Sequence, residues 1–154
     1  MKTISSFTIN HDILQKGMYI AKVDRDVVTY DIRMALPNQG CYLNPATAHT
    51  FEHLFATYVR NSKYADFIVY VGPMGCRPGF YFLVRDNLSH QQALDLVKET
   101  FAFIKSFRHS IPGAGSSSEC GNYLEHDLEG ARLIAIDMLN VLSDWTVEDM
   151  TYRQ

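Results

Sequence analysis

Val27-Val28-Thr29-Tyr30-Asp31-Ile32-Arg33-Met34-Ala35-Leu36 is the stretch on which the fold turns. Successive residues of an extended chain point to opposite sides, so Tyr30, Ile32, Met34 and Leu36 share one face and Thr29, Asp31 and Arg33 the other. An apolar face opposite a polar one suits an antiparallel strand with a single side in a core. Met18 to Val23 reads as the preceding strand and Asp24-Arg25-Asp26 as the turn, which predicts a hairpin.

Working outward, Leu36-Pro37-Asn38-Gln39-Gly40 ends that unit. Asn44-Pro45 then signals a helix start, with Asn44 as cap and Pro45 at the first helical position, and the helix should run to about Asn61. Asp66 to Val71 and Gly79 to Arg85 read as two further strands, separated by a Gly/Pro-rich loop that contains Cys76. Ser89-His90-Gln91-Gln92 is a capping box before a helix over Gln91 to Phe107, whose Leu94, Val97, Phe101 and Ile104 recur at core-facing spacing. Ile111 to Asn122 reads as loop. Asp127 then caps a helix to about Leu142, and Asp144 to Met150 reads as a short terminal helix. Strands, helix, strands and then two helices predict an α+β fold: about four antiparallel strands with helices packed on one face.

The chain of 154 residues fits one domain, residues 1–154, and its 47 % hydrophobic content excludes disorder. A net charge of −3 gives no basic patch for nucleic acid or an anionic membrane. No apolar run approaches the roughly 20 residues that span a bilayer. Met1 to Asn10 lacks the regions of a signal peptide, so a cytoplasmic location is expected. Cys41, Cys76 and Cys120 are odd in number and widely spaced, unlike a secreted disulfide framework. They are free to be core residues, ligands or catalysts.

The sharpest chemical signal is His49-Thr50-Phe51-Glu52-His53. Residues four apart on a helix lie one turn apart on the same side, so both imidazoles can reach one divalent metal ion. Glu52 flanks that side, in the reverse of the zincin order. Phe51, Leu54, Phe55 and Tyr58 gather on the opposite, core-facing arc, while Ala56 leaves room beside the histidines. A catalytic metal commonly takes a third protein ligand and keeps one open position. Cys120 leads as that ligand, because a thiolate suits zinc or ferrous iron and Gly121 permits close backbone approach. Glu119 competes with it, and His126 and His109 are weaker candidates. Cys76 stands beside Arg77, whose charge favours a thiolate, and beside Gly75, which removes bulk. Cys41 lacks such surroundings. Arg33 could bind a hydroxylated or anionic substrate, whereas Ser6 and His11 carry no signal of their own.

These residues fit more than one chemistry. A metallopeptidase of the inverted-motif type would use Glu52 to activate water and Glu119 to complete the site, but leaves Cys76 and Cys120 idle. A nucleoside deaminase lacks its P-C-x-x-C pair. A structural metal site in a binding module explains the ligands but not the adjacent glutamate.

The motifs taken together resemble the S-ribosylhomocysteine lyase family, which makes the autoinducer-2 precursor. The matching stretches are Ser6-Phe7 with His11; Asp31-Ile32-Arg33 with Pro37-Asn38; His49-Thr50-Phe51-Glu52-His53-Leu54; Pro73-Met74-Gly75-Cys76-Arg77 before Gly79-Phe80-Tyr81; and Cys120-Gly121 before His126-Asp127-Leu128-Glu129-Gly130-Ala131. The resemblance implies His49, His53 and Cys120 as metal ligands, Glu52 and Cys76 as the acid/base pair, and Ser6, His11 and Arg33 as substrate contacts. It implies one divalent metal per subunit, Fe(II) with Zn(II) or Co(II) as substitutes, and a homodimer with active sites at the interface. The reaction implied converts S-ribosylhomocysteine to homocysteine and 4,5-dihydroxy-2,3-pentanedione by carbonyl migration and β-elimination of the thioether. Protons must move between neighbouring carbons and oxygens, which a carboxylate and a thiolate can share, and no redox cofactor is needed. This chain departs from the family at Tyr70-Val71-Gly72, where many members read Asp-x-Ser, and at Pro78, where threonine is frequent. No role for that aspartate carries over.

Overall fold

The computed structural model describes Thr3 and residues 7–153. Strands β1 (Gly17–Asp24) and β2 (Val27–Arg33) form the expected hairpin, and β3 (Ile68–Pro73) and β4 (Gly79–Arg85) form a second. β2 pairs antiparallel with β4, so the sheet order is β1-β2-β4-β3. Three helices accompany it: α1 (Pro45–Arg60), α2 (His90–Ser106) and α3 (Leu128–Val141). The expected α+β architecture is present.

The caps form as their residue types require. Asn44 accepts the Ala46 N–H and Pro45 opens α1. Ser89 and Gln92 make the reciprocal capping box of α2. Asp127 accepts the Gly130 N–H at the start of α3. The terminal helix is shorter than expected, a 3-10 turn at Val147–Met150.

Val28, Tyr30 and Ile32 of β2 and Phe80, Phe82 and Val84 of β4 share one core with Phe51, Leu54 and Phe55 of α1 and Leu94, Val97 and Phe101 of α2. Phe51 and Phe101 rings lie 5.3 Å apart and Phe55 and Phe82 rings 5.4 Å apart. Burying each such ring contributes roughly 1.5–3 kcal/mol. This packing fixes the rotation of α1, so its His49–His53 side must face away from the sheet.

One expectation fails at Leu36, which is 38 % exposed rather than buried. The ladder stops at Arg33 because the N–H groups of Met34 and Ala35 both turn to the Pro78 carbonyl, at 2.8 and 2.9 Å. The alternation that would have carried Leu36 inward is broken there.

The other sheet face carries a polar row. Tyr19 pairs with Asp31, and Asp31 with Tyr81, across β1, β2 and β4. Gly79 stands opposite Arg33, and a Cβ there would come within 2.0 Å of the Ile32 carbonyl oxygen. Only glycine admits that approach.

Candidate metal centre and substrate pocket

His49 and His53 leave α1 toward the loop before α3, as the helical spacing requires, and their rings lie 4.7 Å apart. Each ring is oriented from behind. His49 Nδ1 is 2.9 Å from the Glu125 carbonyl oxygen, and His53 Nδ1 is 2.8 Å from that of Pro112. A carbonyl only accepts, so both Nδ1 atoms carry a proton, and in the neutral tautomer this leaves Nε2 with the lone pair that can bind a metal. Metal-bound histidines are held by this kind of outer hydrogen bond.

Cys120 closes the third side: its Sγ is 3.3 Å from His49 Nε2 and accepts the Asn122 N–H at 3.4 Å. His126 joins from a fourth direction, stacked on His49 with ring centroids 4.1 Å apart. One ligand atom from each of His49, His53, Cys120 and His126 lies within 4.8 Å of all the others. Glu119 and His109 are not in this cluster. The Glu119 carboxylate instead accepts the Gly115 N–H at 2.8 Å, outside the cluster a peptidase-like site would need it to join. Gly121 is not required by crowding, since a Cβ there would meet nothing within 4 Å among the described residues.

The sequence placed His126 low, and the fold raises it. Thr50 explains its position. The Thr50 hydroxyl donates its one proton to the Ala46 carbonyl and accepts the Asp127 N–H, at 3.0 and 2.8 Å. His126 Nδ1, 3.0 Å from the same oxygen, must therefore be the donor. In the neutral ring its Nε2 is then an unprotonated acceptor, and it is a buried atom with no hydrogen-bond partner among the described residues. Burial disfavours its imidazolium and lowers its pKa, and His49 and His53 add to the effect. Buried polar atoms are rarely left unsatisfied, so an orphaned lone pair among imidazoles and a thiol is what a bound cation would resolve. The residues present fit a divalent metal.

A second constellation lies on the sheet face opposite the helices. Cys76, His11 and Arg33 line a cavity of about 380 Å³, together with Asp31, Tyr81 and Tyr152. Cys76 is exposed. It occupies a turn closed by the Arg77 N–H to the Met74 carbonyl at 2.9 Å, with Arg77 held at φ 66°. The Leu43 N–H donates to the Arg77 carbonyl at 3.0 Å and anchors that turn. Arg33 is 3 % exposed and forks onto Asp31, its Nε at 3.1 Å and its Nη2 at 2.5 Å. Burial raises the Tyr81 pKa, with Asp31 and Cys76 adding and Arg33 opposing. His11 Nδ1 is 2.9 Å from the Ile9 carbonyl oxygen. Ser6 lies outside the described residues.

None of the metal cluster lines this cavity. The structure thus gathers His49, His53 and Cys120 in one place and Cys76, His11 and Arg33 in another. Glu52, half-buried on α1, stands with the first group by its place in the helix. Tyr81 and Tyr152 escaped sequence reasoning. Tyr81 had a findable signal, since it falls on the same strand face as its β2 neighbour Asp31. Tyr152 had none.

Donor side chains of α1 and of the loop before α3, gathered round one orphaned imidazole nitrogen, make a site that could hold a metal ion in a chain of α+β class. The family model described as S-ribosylhomocysteinase (LuxS) matches residues 4–149. The chain is similar to S-ribosylhomocysteine lyases of Phocaeicola vulgatus, 42 % identical over 99 % of this chain and 97 % of the relative, and of Clostridium acetobutylicum, 45 % identical over 83 % and 84 %. A third, from Borreliella afzelii, is 41 % identical over 99 % of each chain. The chain belongs to the S-ribosylhomocysteinase (LuxS) family.

Proposed function

We propose that this protein is an S-ribosylhomocysteine lyase that releases homocysteine and 4,5-dihydroxy-2,3-pentanedione. The observation that carries this reading is the cluster of His49, His53 and Cys120 around an unpartnered nitrogen, in a chain that matches curated lyases nearly end to end. His49, His53 and Cys120 would hold one divalent ion per subunit, with the free Nε2 of His126 beside it, and the imidazole and thiolate donors suit Fe(II), with Zn(II) or Co(II) able to substitute. When bound, the ion polarises a carbonyl and stabilises the charge left by proton removal.

The chain's own groups do the rest. Glu52 and Cys76 remove and return protons between adjacent carbons and oxygens of the open sugar chain. Once the carbonyl stands at C3, loss of the C4 proton expels the C5 thioether as homocysteine. Arg33, His11 and Ser6 hold the substrate. No electrons leave the substrate, so no redox cofactor is needed.

A homodimer fits the geometry. Within one chain the metal cluster and the Cys76 cavity share no lining residue, so a second copy is the economical way to complete a site. Residues 1–154 act as one domain in this reading. No helix among the described residues is long and apolar enough to cross a membrane, in keeping with a cytoplasmic enzyme. The product then serves the activated methyl cycle and autoinducer synthesis for quorum sensing.

The test is incubation of metal-loaded protein with S-ribosylhomocysteine, followed by thiol detection. Stoichiometric homocysteine release is expected, and no release sinks the reading. Sedimentation at micromolar concentration should give twice the chain mass of 17.6 kDa.

A further inference from the structure

The last described residues fold back onto the sheet. Trp145 donates its indole N–H to the Met18 carbonyl at 3.0 Å, and Met150 is fully buried. These two anchors bring Tyr152 across β1, where its ring stacks on Tyr19 at 4.9 Å with 16° between planes. Its hydroxyl reaches Asp31 Oδ2 at 2.8 Å. That oxygen also receives Arg33 Nη2, and Oδ1 receives Arg33 Nε.

Asp31 is 1 % exposed although it points away from the helices. Tyr152 is one of the groups that cover it. Buried carboxylate oxygens need hydrogen-bond partners. Arg33 supplies two of the bonds and Tyr152 the third. Burial, with Asp31 beside it, raises the phenol pKa, so Tyr152 remains a donor. The guanidinium has five N–H groups in a planar fork, and those not spent on Asp31 are available to the cavity that also holds Cys76.

We infer that Tyr152 is a positioning residue for substrate: it fixes Asp31, which aims the Arg33 guanidinium into the Cys76 cavity. This rests on the proposed role of Arg33 as a substrate contact. Tyr152 itself also forms a wall of the cavity. The C-terminal segment is thus part of the binding site rather than a tail.

Tyr152→Phe keeps the ring and its stacking and deletes only the hydroxyl. In the metal-loaded enzyme, KM for S-ribosylhomocysteine should rise about tenfold, as expected for loss of one hydrogen bond to a charged group. kcat and metal content should stay close to wild type. In an Arg33→Lys background, which lacks the planar fork, the same substitution should have little further effect. An unchanged KM, or equal losses in both backgrounds, overturns the inference. Calorimetric titration with S-ribosylhomocysteine supplies a readout that needs no turnover, and Tyr152→Phe should weaken Kd by about the same factor. Binding by wild type without thiol release would sink the reaction proposed above while this comparison still decides Tyr152. No binding by wild type would overturn both.

Discussion

Thr50 is the residue whose loss should tell most about the metal centre, although it can touch no metal. It is fully buried on α1 between His49 and Phe51. Its oxygen accepts the Asp127 N–H at 2.8 Å and His126 Nδ1 at 3.0 Å. Thr50→Val keeps shape and volume and deletes both acceptor sites. Two part-buried donors then lose their partner, at about 1–3 kcal/mol each where water does not replace it. Relief from burying the hydroxyl offsets part of this, which leaves a destabilisation of about 2–4 kcal/mol. For a domain of this size, 1 kcal/mol corresponds to roughly 2–4 °C, so the midpoint should fall by roughly 4–16 °C. The measurement is urea or thermal unfolding of chelator-treated protein at one fixed concentration, since both metal and a second subunit would add stability by mass action. Zinc affinity, read by competition with a chromophoric chelator, should also fall about 10- to 100-fold, as for other lost outer-shell partners. Thr50→Ser retains the hydroxyl and should keep the affinity. A loss under about 0.5 kcal/mol together with unchanged zinc binding would refute the tautomer argument for His126.

Other outcomes follow from the same geometry. Glu52→Gln and Cys76→Ala should each abolish homocysteine release with metal still bound; metal loss on elemental analysis would instead make them structural. Cys120→Ala should sharply lower metal content, whereas Glu119→Ala should leave it near wild type because that carboxylate is committed to the Gly115 N–H; the reverse pattern would restore the peptidase-like site. The Asp127 carboxyl sits below its usual range because the Gly130 N–H, and then the Thr47 hydroxyl, bond to its charged form. The folded state therefore binds this proton less readily than the unfolded one. Its stabilising effect is present above the unfolded value of about 3.9 and is lost as pH falls through the lower folded value. Asp127→Asn should flatten that part of the acid unfolding curve, and an unaltered curve would contradict the assignment.

The local chemistry of the chain was readable without a structure. Caps at Asn44, Ser89 and Asp127 lie within a few residues of the N–H groups they accept, and β4 runs over Gly79–Arg85 as its turn residues imply. The spacing of His49 and His53 fixes a shared helix side by geometry alone. Strand alternation separated Tyr30 and Ile32 from Asp31 and Arg33, and it misled only at Leu36, where two N–H groups share the Pro78 carbonyl. What connects distant stretches was not readable. His126 and Glu119 lie in or beside an irregular loop with no period, so only the folded path turns one toward the cluster and the other toward Gly115. Tyr152 reaches Asp31 from the far end of the chain through anchors at Trp145 and Met150. The donor set and the helix side that carries it were thus written in short-range spacing, while tertiary packing decided which loop imidazole faces that side and which phenol holds Arg33, because loop direction depends on contacts far apart in the chain.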